Sequence, residues 1–371
     1  MYHGIPIHSI IQIQSIMPGM IPYLVSRAIL LTSTAKDAAV GDVTPVPASV
    51  EEIAAGLITG KRALVVGGTL GIGRGIALTL ARGGASVVVV GRDTSTIVQE
   101  MRHVAPMPRP KDQELAAQPA DLFTVSGANK LVEALATTMA NHIGDSVNEN
   151  GNDHARPFDY VFFTVGCWPN YSDPYTADGV EKVVALDLLA RHAVLSGLMR
   201  HKLLKTDKDA GARIISTLAS AQQFPFQSAE SVRKRLEEST ELIPPGRVPF
   251  CLMPVGLAGD AWLREASRRY RQHNLRFVGT FPGIVSTEVA TTSFPPWTAP
   301  LLRAKLWLTA RTEEEAGLAH VTVATSNNVG RHDVCFFNHL CQGRRAHDVA
   351  MDDDLAAFVF DWLETTCDRT A

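Results

Sequence analysis

The sequence predicts an α/β fold: a doubly wound parallel sheet flanked by helices, as a single domain behind an N-terminal extension. Three observations predict it. Short apolar runs bounded by turn residues alternate with amphipathic helical stretches from Lys61 to the end of the chain. Residues 67–75, GGTLGIGRG, place five glycines in nine positions between an apolar run and a helix-like run. The 371 residues, 46% hydrophobic and 20% charged, suffice for one large α/β domain and lie far from disordered or fibrous compositions.

Each element has a local reason. RALVV (62–66) is a short buried strand, the glycine bend follows, and a helix runs from about Ile72 to Arg82. SVVVV (86–90) is a second buried strand, which completes a βαβ unit. A helix through IVQEMRHV precedes the connection MPRPKDQ, a third strand is expected near 119–123, and the next helix runs through KLVEALATTMANHI. Residues 144–157, GDSVNENGNDHARP, form a polar surface loop. YVFFTVG (160–166) is the fourth strand, 181–199 a long amphipathic helix, and ARIISTLAS (212–220) the fifth strand. Residues 222–247 read as an insertion, charged in SVRKRLEEST and closed by PPG. A helix at 255–272, the strand LRFVGTFPG (275–283) and the segment TTSFPPWTAP come next. A helix through TEEEAGLAHVTVA, a strand VCFF and a helix from about Asp353 to Thr365 complete the chain. With no internal repeat, the expected organisation is a leader over 1–58 and one domain over 59–371.

Bulk properties exclude several partner classes. A net charge of −3 carries no electrostatic footprint for nucleic acid. The five cysteines, Cys167, Cys251, Cys335, Cys341 and Cys367, are scattered without a C-x-x-C pair, as expected of free thiols in a reducing, cytoplasmic setting. His332, Cys335, His339 and Cys341 match no common zinc spacing, so no metal is expected. The first 36 residues lack acidic side chains, but glutamines and Arg27 interrupt the apolar run, so it is not an integral membrane span. The leader is either disordered or a mitochondrial presequence, which makes a mitochondrial location the alternative.

The glycine bend invites a phosphate. Backbone N–H groups and the positive end of a helix dipole are what a phosphate needs, and a strand, glycine turn and helix supply both. The spacing Gly67, Gly71, Gly73 is G-x-x-x-G-x-G. In this bend, and from about Lys61 to Leu340, the chain resembles the short-chain dehydrogenase/reductase family. The resemblance implies a Rossmann-type sheet and a nicotinamide dinucleotide held by Gly67, Thr69, Leu70, Gly71, Ile72 and Gly73. VVVVGRD ends the second strand with Arg92, where NAD-preferring members carry an acid nearby. A cation there suits a 2′-phosphate, so the implied cofactor is NADP(H). Asp121 and Leu122 match the family's adenine-contacting pair, and Thr164-Val165-Gly166 stands where its N-A-G stretch lies. PGIVST matches its P-G-x-x-x-T stretch beside the nicotinamide, through Pro282, Gly283, Ile284 and Thr287. Without the resemblance, these residues read as tight packing at the glycines, a solvated charge at Arg92, and turns at Asp121 and Pro282.

Carbonyl reduction takes a hydride from the cofactor and a proton for the developing alkoxide. Family members place a Tyr and, four residues on, a Lys, with a Ser on the preceding strand and an Asn in the long helix. Here those positions fall on Phe250, Pro254, Ala219 and Asp187, and none of the ten lysines has a Tyr four residues before it. Asp187 accepts hydrogen bonds but does not donate when ionised. The replacement candidates are Ser220, one residue past the Ser position, and Tyr171 and Tyr175 in CWPNYSDPY, with packing as the alternative for each. Cys251 beside Phe250 is a weaker one. Two functions therefore stand: an NADP(H)-dependent oxidoreductase of a small carbonyl or alcohol with a non-standard proton donor, or a catalytically inactive NADP(H)-binding pseudoenzyme serving as scaffold or sensor. The resemblance also implies a homodimer or homotetramer through the helix 181–199, whose alternative is burial within one subunit.

Overall fold

The strand run 62–66, apolar from Ala63 to Val66, is buried on both faces, which places it at the centre of a covered parallel sheet. The computed structural model describes residues 58–145, 156–169, 172–208, 211–218, 227–242, 252–283, 285–286, 310–326, 329 and 334–371. The strands are β1 (Arg62–Val66), β2 (Ser86–Gly91), β3 (Leu115–Pro119), β4 (Tyr160–Phe163), β5 (Arg213–Thr217), β6 (Arg276–Thr280), β7 (Cys335–Phe337) and β8 (Gly343–Arg344). They form one sheet in the order β3-β2-β1-β4-β5-β6-β7-β8. All neighbours are parallel except β7 and β8. The strand order reverses between β1 and β4, where crevices for ligands open in such sheets.

Alternation along β1 feeds two cores. Leu64 and Val66 join the cluster beneath α3 (Val125–Asp145), α4 (from Lys182–Val184 through Ala190–Arg200), α6 (Leu252–Arg269) and α8 (Asp353–Thr370). Ala63 and Val65 join the cluster beneath α1 (Gly71–Arg82), α2 (Ile97–Val104) and α7 (Glu313–Thr325). The helix α4 runs through Lys182–Val184, a π turn at Ala185–Leu189 and Ala190–Arg200. The short α5 (Ala229–Glu238) lies in the expected insertion and starts in a Ser228–Ser231 capping box. It is tied to the start of α4 by a buried ion pair between Arg235 and Glu181.

Several sequence expectations shift. The third strand lies at Leu115–Pro119 rather than near 119–123, because Asp121 turns the chain by accepting the Phe123 N–H at 3.1 Å. The sheet is not wholly parallel, since the two-residue β8 adds an antiparallel edge too short to leave a sequence pattern. Residues 1–57 of the leader, and 222–226 and 243–247 of the expected insertion, lie outside the described residues.

The long helix is buried inside its own chain. Arg191 and His192 are buried along with its apolar residues, and α8 packs on α4 and α6. The Phe360 ring meets the His192 ring edge-on at 4.9 Å, and Asp361 pairs with Arg269 at 2.7 Å. The chain's C-terminal helix thus packs against part of the helix implied as a subunit interface. No helix of the described residues is long and apolar enough to cross a membrane.

Candidate active site

The bend after β1 is closed on itself. Gly67, at φ +87°, and Gly68 both donate to the Val90 carbonyl, at 2.9 and 3.0 Å. A Cβ on Gly67 would lie 2.7 Å from the Val165 nitrogen, and one on Gly73 only 2.2 Å from the Gly67 carbonyl oxygen and 2.5 Å from Thr164 Oγ1. Thr164 clips the bend from the end of β4 by donating to the Val66 and Gly67 carbonyls. These contacts account for glycine at both positions by close approach. The first turn of α1 then differs from those of α5, α7 and α8. Its N-cap, Leu70, gives no side-chain cap, and the turn contains no acid. Its orphan N–H groups and dipole are thereby left for an anion.

The bend opens on a crevice of about 760 Å³ at the carboxyl ends of β1, β2 and β4. Of the residues singled out in the sequence, the crevice brings together Gly67, Thr69, Leu70, Gly71, Ile72, Gly73, Arg92, Asp121, Leu122, Val165 and Gly166. At one end the Arg92 guanidinium lies 5.5 Å from the centre of the Phe123 ring, and no carboxylate among the described residues pairs with it. Arg74, also on the wall, is neutralised by Glu100 at 2.6 Å and Glu313 at 3.1 Å. Arg92 is therefore the wall cation without a carboxylate partner among the described residues.

The other end is lined by Val165, Gly166, Cys167, Trp168 and Leu186. Asp187 stands behind it on the π turn, a local distortion that frequently marks functional sites. Its carboxylate accepts the Cys167 N–H at 3.4 Å and faces Gly166, where a Cβ would come within 2.7 Å of Oδ1. Some 28% of the Asp187 side-chain surface remains accessible. Its enclosure pushes the carboxyl up to about 6, against the opposing pull of the Arg191 charge and the Cys167 N–H. Cys167 is pushed up to about 12 by burial and by Asp187, so it stays a thiol.

Arg191 is the residue the sequence reading missed. It is 2% exposed, and its guanidinium donates to the Val165 carbonyl, Ser216 Oγ and the Thr217 carbonyl at 2.6–2.7 Å. Its only advance signal is its place four residues after Asp187 in an apolar helix.

Other expected residues lie elsewhere. Tyr175 does not line the crevice: its hydroxyl donates to the Glu241 carbonyl at 2.8 Å, which makes it a loop tie. Pro254 sits in the first turn of α6, where the missing N–H costs no helical bond. Pro282 and Gly283 follow β6, with Gly283 at φ +72° packed on His339, and do not line the crevice. Tyr171, Ser220, Phe250, Cys251, Ile284 and Thr287 lie outside the described residues.

A buried carboxyl without an ion-pair partner among the described residues occurs on α6. Asp260 is 3% exposed, its Oδ1 has no partner, and burial pushes it up to about 8. Its folded value exceeds the unfolded value of about 3.9. Its contribution to stability is therefore complete below about pH 4 and is lost as pH rises through about 8. Urea unfolding of the wild type should show this fall across the neutral range, and Asp260→Asn should flatten it. An identical slope in both proteins would contradict the assignment.

Comparison with known proteins agrees with this geometry. Residues 61–228 match the family model for short chain dehydrogenase. The chain is 26% identical to retinol dehydrogenase 14 of Homo sapiens over 313 residues, 83% of this chain and 87% of that protein. It is also 26% identical to the rhamnolipids biosynthesis 3-oxoacyl-[acyl-carrier-protein] reductase of Pseudomonas aeruginosa over 159 residues, 43% of this chain and 54% of that protein. Among solved structures, it is similar to the Pseudomonas aeruginosa RhlG/NADP active-site complex with a TM-score of 0.53 at 19% identity, covering 76% of this chain and 96% of that one. An uncharacterised protein from Mycobacterium paratuberculosis matches with a TM-score of 0.56 at 18% identity, over 85% of this chain and 97% of that one. Glycine bend, switch-point crevice and family match converge on the same segment, residues 61–228, which is similar to the short chain dehydrogenase family.

Proposed function

We propose that the protein is an NADP(H)-dependent oxidoreductase interconverting a carbonyl and an alcohol, with Asp187 as the proton-exchanging group in place of the tyrosine and lysine. The observation that carries the reading is one continuous crevice, running from the uncapped first turn of α1 to Gly166, with Arg92 at one end and the Asp187 carboxyl behind the other. The α1 N–H groups and glycine bend suit the pyrophosphate, and Arg92 suits a ribose 2′-phosphate. The bound dinucleotide supplies the hydride. Asp187, balanced between acid and carboxylate near pH 6, gives a proton in the reducing direction and takes one in the oxidising direction. Trp168 and Leu186 line the same end and exclude water from it. The names of the relatives, a retinol dehydrogenase and a 3-oxoacyl reductase, support a hydroxyl or ketone substrate.

The pseudoenzyme reading is favoured by Pro254, which cannot replace an ammonium. Turnover separates the two. NADPH consumption above background with aldehydes, ketones or 3-oxoacyl thioesters supports the enzyme, whereas saturable binding with no turnover supports the pseudoenzyme. Arg92→Glu tests the cofactor directly. Losing a charge-assisted contact worth about 1.5–3 kcal/mol should weaken NADPH binding about 10- to 100-fold while leaving NADH within a few-fold. Equal loss for both cofactors would contradict the role given to Arg92.

A further inference from the structure

A buried arginine tied mainly to neutral acceptors is an expensive core residue, and an apolar side chain of similar volume commonly stabilises as well or better. Four of the five guanidinium N–H groups of Arg191 have acceptors: Ser216 Oγ, the Thr217 and Val165 carbonyls, and Asp187 Oδ1 at 3.4 Å. Nε has none. The Val165 and Thr217 carbonyls belong to the chain leaving β4 and β5, so the guanidinium bridges two neighbouring strands where the crevice floor begins. Thr217 is held from the other face as well, by His320 Nε2 at 3.3 Å from its hydroxyl.

We propose that Arg191 is a positioning residue: it ties the ends of β4 and β5 beneath the crevice and is the fixed cation that anchors the Asp187 carboxylate. The inference rests on the oxidoreductase reading for its purpose, and its test does not. Arg191 is the only cation that acts on Asp187 from among the described residues, and the Cys167 N–H is its other polar neighbour. The two elements packed on the π turn, α6 and α8, carry Asp260 and Cys367, which make no hydrogen bond or ion pair with Asp187. The Cys167 thiol, from the segment after β4, stays uncharged. Removing the Arg191 charge therefore leaves burial unopposed except by one backbone N–H, and Asp187 should bind its proton more tightly.

The test reads the carboxyl itself. Infrared titration of cofactor-free protein with carboxyl-labelled aspartate, with Asp187→Asn to identify the band, gives the Asp187 midpoint. In Arg191→Met the midpoint should rise by at least about tenfold in proton affinity, the scale of a charge removed from an enclosed partner. Arg191→Lys, which restores the charge without the two-strand bridge, should return the midpoint most of the way. An unmoved midpoint in folded Arg191→Met overturns the proposal; should that variant not fold, Arg191→Gln carries the same test with the same outcomes. In loaded enzyme, the pH limb of turnover should move with the infrared midpoint, whereas a merely structural role lowers turnover without moving the limb. Absence of turnover with a shifted infrared midpoint would reject the oxidoreductase reading and leave this one standing.

Discussion

Asp187→Asn should lower the rate of NADPH-dependent carbonyl reduction by about 10²- to 10⁴-fold, the usual loss of a positioned general acid. NADPH affinity should stay within a few-fold. The amide keeps the size of the carboxyl and the acceptor for the Cys167 N–H, so the crevice floor is preserved while proton exchange is lost. The sign of the pH dependence follows from the acid form being the donor. Wild-type reduction should fall as pH rises through about 6, and alcohol oxidation should rise through the same limb. Both limbs should vanish in Asp187→Asn. Full activity in the variant, or a wild-type profile flat across this range, contradicts the assignment.

The second large effect is at the bend. Gly73→Val places a branched side chain where even a Cβ would meet the Gly67 carbonyl at 2.2 Å and Thr164 Oγ1 at 2.5 Å. Those atoms are backbone and a side chain fixed by two hydrogen bonds, so the bend itself must move. Moving it re-aims the first N–H groups of α1, on which the phosphate site depends. NADPH affinity should fall at least about 100-fold, a loss of about 2.7 kcal/mol or more, while circular dichroism stays close to wild type. Affinity near wild type in a folded Gly73→Val protein would show that the bend does not hold the cofactor.

The fold was legible in the sequence where periodicity and turn chemistry agreed. RALVV, GGTLGIGRG and SVVVV specify strand, bend and strand without tertiary information, and the structure places them as β1, the α1 entry and β2. The bend at the crevice was legible for the same reason, because glycine spacing encodes a local backbone shape. The chemistry at the other end was not. A π turn has no spacing signature, and the proton affinity of Asp187 comes from walls supplied by remote segments. Asp187 alone therefore reads as an ionised acceptor, and Arg191 as an ordinary helix cation. The Tyr175 hydroxyl makes it a candidate donor by sequence, but its loop folds toward Glu241, a contact 66 residues away that no local pattern encodes. Likewise, the helix 181–199 shows an apolar character that suits a partner or a core equally, and the packing of α8 against it has no local sequence signature.

A phosphorylated nicotinamide dinucleotide bound in the crevice with its pyrophosphate on α1 would place its redox end near Gly166. Trp168 lines that end and can report on it. Titration of the protein with NADPH, read as energy transfer from tryptophan to the bound nicotinamide, should saturate, and Trp168→Phe should remove most of the signal without changing the affinity measured by calorimetry. No saturable binding of NADPH or NADH, or a signal unaffected by Trp168→Phe, would contradict the placement.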